Sequence, residues 1–188
     1  MTVSKVPFCA YGRFANESDR LDPDKEDWET ESFEWDRIVH GRYLAFEVKG
    51  DSMDNGTRES FEEGDVVLVR ELDRSHWRDG LRYKDHPYWV VVFGTSVLIK
   101  QMTGCDMDEG KITLHSLNPS PEFSDFSLPL DSVRALYYVL QKKPKVVRFN
   151  EKAIRKNDMM FFSVSLPVKR DNKYLMYKSI RYKMEKYF

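Results

Sequence analysis

Tyr88-Trp89-Val90-Val91-Val92-Phe93-Gly94-Thr95-Ser96-Val97-Leu98-Ile99-Lys100 sets two runs of β-branched and aromatic residues on either side of a short Gly-Thr-Ser break. Runs of that composition around a glycine-containing turn form a β-hairpin. Tyr88 to Phe93 is also the longest apolar run in the chain. It falls far short of the ~20 residues that span a bilayer, so no membrane span is expected. Upstream, Leu44, Phe46 and Val48 alternate with Ala45, Glu47 and Lys49, and Val66-Val67-Leu68-Val69 follows the Gly64-Asp65 turn. Both read as strands, the first through a period of two. Downstream, Lys111 to Leu117, Val133 to Leu140, Met159 to Leu166 and Tyr174 to Tyr182 continue the β character. One short helix is expected at Glu151 to Lys156. The fold class that follows is mainly β, with a β-rich C-terminal extension.

The chain has 188 residues, 41% hydrophobic and 32% charged, enough for one medium domain or a domain plus an appendage. The opening residues, MTVSKVPFCAYGR, lack the apolar core of a secretory signal, so a cytoplasmic protein is expected. Cys9 and Cys105 lie far apart, which excludes a disulfide framework and a four-cysteine zinc site. His40, His76, His86 and His115 have no paired ligand spacing, so neither metal nor cofactor is expected. Cys105 itself reads as a hairpin-turn residue.

The net charge of −1 conceals a split. Residues 1–140 hold 16 Lys and Arg against 27 Asp and Glu, a net of −11; residues 141–188 hold 14 against 4, a net of +10. Two such parts attract each other or serve different partners. Residues 1–40 are polar and acidic, with a turn at Asp22-Pro23-Asp24, and read as an irregular N-terminal arm. Three regions are therefore expected: the arm at 1–40, a central domain at 41–140 and a basic, aromatic-rich extension at 141–188.

Gly50-Asp51-Ser52-Met53 follows directly on the Leu44–Val48 strand. Glycine permits a sharp turn there, and a serine on such a turn can be presented beside converging backbone N–H groups. That geometry suits an acyl-transfer nucleophile, although an ordinary turn has the same residues. Lys100 ends the Val97-Leu98-Ile99 strand on the same face as Leu98 and Met102. If that face is covered, the ammonium loses hydration and its pKa falls toward neutrality, as a general base requires. The other reading is a strand-end lysine reaching into water.

In order along the chain, VKGDSM, then Glu63-Gly64-Asp65-Val66-Val67-Leu68-Val69, then VLIK, then Leu114-His115-Ser116-Leu117-Asn118-Pro119 resembles the LexA-like family of Ser-Lys peptidases. That family includes LexA-type and phage repressors and UmuD-type proteins, and the resemblance runs from Val6 to Leu140. It implies a mostly-β fold shared with signal peptidases. It also implies Ser52 as nucleophile, Lys100 as general base, the N–H groups of Asp51 and Ser52 as oxyanion hole, and Gly50 and Met53 lining the site. A homodimer, and self-cleavage or cleavage of a regulatory partner in a DNA-damage or phage-type transcriptional response, are further implications.

Three features depart from the family's pattern. The loop Asp54–Ser60 and the segment His76 to Pro87 are longer than usual and set Ser52 and Lys100 48 positions apart. The Ala-Gly or Cys-Gly bond cut in self-cleaving members is absent, and Ala15-Asn16 is the candidate cleavage segment in its place. No helix-turn-helix pattern precedes the domain, so operator binding by this chain alone is not expected. The same fold kept as a cleavage-deficient dimerisation or partner-binding module is therefore the alternative function. In the extension, Lys142, Lys143, Lys145 and Arg148 open a series of cations interleaved with aromatic residues. Such a series fits nucleic-acid contact, with cations on phosphates and rings on bases, and it equally fits packing against the acidic domain.

Overall fold

Alternation along the central strands explains how the chain builds two hydrophobic layers from one sheet. The computed structural model describes residues 1–17, 20, 22–146, 163–168 and 176–181. The chain divides into two compact units, Met1–Lys145 and Val146–Phe188. In the first unit the strands are β1 (Thr2–Val6), β2 (Thr30–Ser32), β3 (Tyr43–Glu47), β4 (Val66–Leu72), β5 (Tyr88–Phe93), β6 (Ser96–Asp106), β7 (Lys111–His115), β8 (Phe126–Pro129) and β9 (Val133–Lys143). They form one sheet in the order β2-β1-β3-β4-β9-β5-β6-β7-β8, so the mainly-β expectation holds.

The apolar run at β5 is unbroken because both faces of that strand are covered. Val90 and Val92 pack with Phe46, Val67, Val69 and Tyr137 on one side. Trp89 and Val91 pack with Leu136, Tyr138, Met102 and Leu114 on the other. Burial on both faces removes the polar half of the usual alternation. The β5–β6 hairpin closes at Gly94, whose φ of +56° only glycine adopts readily. β6 runs on to Asp106, so Cys105 is a strand residue opposite Ile112 rather than a turn residue.

The expectation of an irregular arm over residues 1–40 is corrected. β1 pairs antiparallel with β2 and parallel with β3, setting Lys5 opposite Ala45 and Val6 opposite Phe46. A seven-residue helix, α1 (Tyr11–Glu17), then seals the first hydrophobic layer with Tyr11, Phe14 and Ala15. Those residues stand at i, i+3 and i+4, the spacing of a helix face. The surrounding acidic residues are held outside by cations of the same unit: Lys5 pairs with Glu29, and Arg13 with Glu17 and Glu26.

The long segment between β4 and β5 is not a purely superficial loop, since Trp77 and Leu81 are buried in the second layer. A boundary after residue 140 would cut β9, whose Gln141, Lys142 and Lys143 pair with Leu68, Val67 and Val66. In the second unit, β10 (Ser163–Val168) and β11 (Met176–Arg181) pair antiparallel, with Ser163 opposite Arg181 and Val168 opposite Met176. The helix expected at Glu151 to Lys156 lies outside the described residues.

Candidate active site

The turn carrying Ser52 is fixed by bonds on both sides of it. At its start, Val48 N–H donates to Asp65 C=O and Gly64 N–H to Val48 C=O, so the end of β3 is tied to the start of β4. Gly50 then takes a φ of +73° with open space where a Cβ would lie; the backbone angle, not crowding, demands glycine. Asp54 N–H closes the turn on Asp51 C=O at 2.9 Å. From the segment after β7, Asn118 Nδ2 donates to Asp51 C=O at 3.0 Å and Asn118 N–H to Ser52 C=O at 3.1 Å. Both carbonyls are thus drawn back into the protein. Among the described residues, no protein acceptor takes the N–H of Asp51 or Ser52. Those two donors are left for an incoming group, as an oxyanion hole needs.

Lys100 sits in β6 opposite Trp89 and is only 7% exposed. Its Nζ lies 2.7 Å from Ser52 Oγ and 2.9 Å from Ser116 Oγ. The Phe123 ring covers the amine, its centroid 5.9 Å away. Among the described residues no carboxylate forms an ion pair with it. Burial therefore holds the Lys100 pKa below its ordinary value, with no counter-charge to restore it.

Ser116 is the residue that sequence reading left without a role. The signal was available in β7: Ile112 and Leu114 are fully buried, and Ser116, two positions on, is 3% exposed. A serine at the next core-facing position must find a polar partner, because an unpaired buried hydroxyl is costly. The lysine amine is that partner. A neutral amine has one lone pair and two hydrogens. The lone pair can take the Ser52 proton while an N–H donates to Ser116, which fixes the direction of the lone pair.

A cleft of about 160 Å³ leads to this pair. Val48, Lys49 and Gly50 form one wall and Val97 to Ile99 the other, with Phe8 and Tyr11 at the side. β6 pairs with β5 from Ser96 onward, whereas β7 joins it only from Gln101. One backbone edge of Val97–Ile99 is consequently left on the cleft side. A larger groove of about 710 Å³, lined by Arg42, Arg70, Glu71 and His76 among others, holds no hydroxyl-amine pair of this kind.

The structure brings Gly50, Asp51, Ser52, Met53 and Lys100 together. Met53 is 2% exposed and its C=O accepts the Phe61 N–H, anchoring the far side of the turn. It does not bring Ala15 and Asn16 to Ser52. They belong to α1, where Ala15 is fully buried and Asn16 C=O accepts from Arg134. Lys142 donates to the carbonyls of Ser60 and Arg58, and Lys143 pairs with Glu31. Lys145 N–H bonds Asp65, and its amine lies 3.4 Å from Glu62. Arg148 lies outside the described residues. Among the described residues no helix is long and apolar enough to cross a membrane.

Residues 9–135 match a family model described as Peptidase S24-like. The matched span contains every member of the constellation: the serine turn, the lysine and the Ser116–Asn118 segment. No curated protein matches the chain.

Proposed function

The chain belongs to the Peptidase S24-like family, and from that we propose that it is a serine peptidase whose nucleophile is Ser52 and whose general base is Lys100. One observation carries the reading: a buried amine with no carboxylate partner among the described residues, 2.7 Å from the hydroxyl of a serine on a constrained turn. A charged lysine could not accept a proton. Burial favours the neutral form and so supplies the base.

In the proposed reaction Lys100 takes the Ser52 proton as Oγ bonds to a peptide carbonyl carbon. The carbonyl oxygen becomes an oxyanion facing the N–H groups of Asp51 and Ser52. Lys100 then gives the proton to the departing amine, the C–N bond breaks and an acyl-serine remains. Water enters, loses a proton to Lys100, and hydrolyses the ester. Ser116 keeps the amine aimed throughout. A substrate enters as an extended segment whose backbone pairs with the free edge of Val97–Ile99.

The family resemblance extends this to a cytoplasmic homodimer cleaving a regulatory protein, its own chain or a partner, in a DNA-damage or phage-type response. The alternative, a scaffold that binds partners without cleaving, predicts an unreactive Ser52. Of the cations expected to contact nucleic acid, Lys142, Lys143 and Lys145 each have a side-chain partner in their own unit.

A fluorophosphonate probe tests the reading. Labelling should map to Ser52, rise with pH as the lysine deprotonates, and vanish in Ser52→Ala and Lys100→Met. Labelling elsewhere, or unchanged labelling in Lys100→Met, would refute it.

A further inference from the structure

The parallel pairing of β1 with β3 has a consequence at the cleft. Lys5 and Val6 lie opposite Ala45 and Phe46, and the two strands run the same way. The chain leaving β1 therefore emerges at the same end as the chain leaving β3 toward Ser52. That is why Phe8 and Tyr11 line the cleft beside Lys49 and Gly50. Residues just after β1 are thus the nearest stretch of the N-terminal region to the nucleophile, where a chain that cut itself would present its scissile bond.

These residues are not presented as a substrate. Ala10 N–H donates to Pro7 C=O and Tyr11 N–H to Phe8 C=O, so the backbone is already coiled. The Tyr11 hydroxyl donates to Glu47 C=O across the cleft rim. Tyr11 and Phe14 both stack edge-on against Phe46, at 5.7 and 5.3 Å between ring centroids. Phe14 and Ala15 are fully buried. A peptide bond must be extended and accessible to be attacked. Extending this stretch would strip three side chains from the core and break the bridge to β3.

Phe8 is different from its neighbours. It is 51% exposed, rests edge-on against Tyr11 at 5.3 Å, and has the Lys49 amine 5.4 Å above its ring. An aromatic ring left half in water at the mouth of a cleft narrows that mouth. The remaining space is about 160 Å³. Val48, Val97, Leu98 and Ile99 give it apolar walls beside the charged Glu47 and Lys49.

We infer that Phe8 to Ala15 form a fixed wall of the substrate cleft, with Phe8 and Tyr11 setting its width, and that the bond cut lies in another polypeptide, which enters extended and seats one aliphatic side chain. This rests on the peptidase reading for the chemistry, while the wall itself stands independently of it.

The experiment has two arms. In the first, wild-type protein is incubated with β-casein as an unfolded probe from about pH 7 to about pH 10, and all products are read by mass. Casein fragments should appear, dependent on Ser52, with aliphatic residues recurring at one position beside the cut, while the protein's own mass stays unchanged. Phe8→Ala should raise the share of aromatic residues at that position by about fivefold or more. Cleavage of the chain itself, between residues 8 and 17 or elsewhere, would overturn the inference. An unaltered preference in Phe8→Ala would overturn the role given to that ring. In the second arm, amide exchange is followed in Ser52→Ala, where no cleavage can occur. Residues 11–15 should be protected like the strands, and exchange at free-peptide rates would overturn the wall. Casein left whole and Ser52 unlabelled by fluorophosphonate would remove the peptidase reading and the substrate with it; protection in the second arm would still be read separately.

Discussion

Lys100 on β6 and Lys142 on β9 both run their stems into covered ground, and their surroundings set them apart. Lys142 Nζ reaches the carbonyls of Ser60 and Arg58 and lies 3.7 Å from the buried carboxylate of Asp65. Among the described residues, Lys100 Nζ meets two hydroxyls and the face of Phe123. An ammonium beside carbonyls and a carboxylate has its charge compensated and serves as a clamp. An amine among hydroxyls has no compensation, and losing its proton is the cheaper solution. Lys142 thereby fastens the loop that follows Ser52, and Lys100 is left with the surroundings that the proposed proton transfer needs. The same residue type meets opposite surroundings, with a carboxylate near one amine and, among the described residues, none paired with the other.

The largest effect should come from taking the amine away. Lys100→Met should lower peptidase activity by at least about 10⁴-fold, as loss of one member of a cooperating catalytic unit does. Retained turnover with an unchanged pH profile would erase the contrast with Lys142. Next, Ser116→Ala should cost about 10- to 100-fold in kcat with little change in KM, the worth of one well-placed hydrogen bond in the transition state. Ser116→Thr should restore most of it. A fall in KM-dependent binding alone would mean that Ser116 shapes the cleft rather than the amine.

On the other side of the comparison, Asp65→Asn should destabilise the fold by about 1–3 kcal/mol in urea unfolding. Asp65 is 2% exposed and accepts from the backbone N–H groups of Glu62 and Lys145, with Lys142 nearby. The smallest effect is a slope. The Lys100 pKa is lowered in the folded protein, so between that midpoint and the usual lysine value the unfolded chain binds more protons than the folded one. Stability contributed by this group is therefore lacking below the folded midpoint and grows as pH rises through the window, by at most about 1.4 kcal/mol per pH unit. Lys100→Met should lack this slope, whereas Lys142→Met should keep it.

Much of the central sheet was legible because its strands are strongly periodic or wholly apolar. β5 has the same ends in sequence and in structure, and Ser52 was marked by its place just past a strand, whereas Lys100, read as the end of a strand, lies inside β6. The N-terminal region was not legible for a physical reason. β1 and β2 are five and three residues long, and α1 is seven. Elements so short have little propensity of their own and are held by tertiary packing of Phe14, Ala15 and Val6. Their acidic flanks, which suggested a solvated arm, are instead neutralised by Lys5, Arg13 and Lys143. Ser116 was hidden in a different way. Its role depends on which face of β7 is buried, and that becomes visible only when Ile112 and Leu114 are placed in the core. The Asn118 side-chain bond to Asp51 joins residues 67 positions apart, a pairing no local pattern contains.

The titration of Lys100 itself, followed through its ε-carbon by NMR in lysine-labelled protein and assigned by comparison with Lys100→Met, bears on all of this at once. A midpoint clearly below the ordinary lysine value of 10.5, moving no other lysine, is the result the buried amine requires. A midpoint at or above that value would mean a charged ammonium beside Ser52, unable to take its proton.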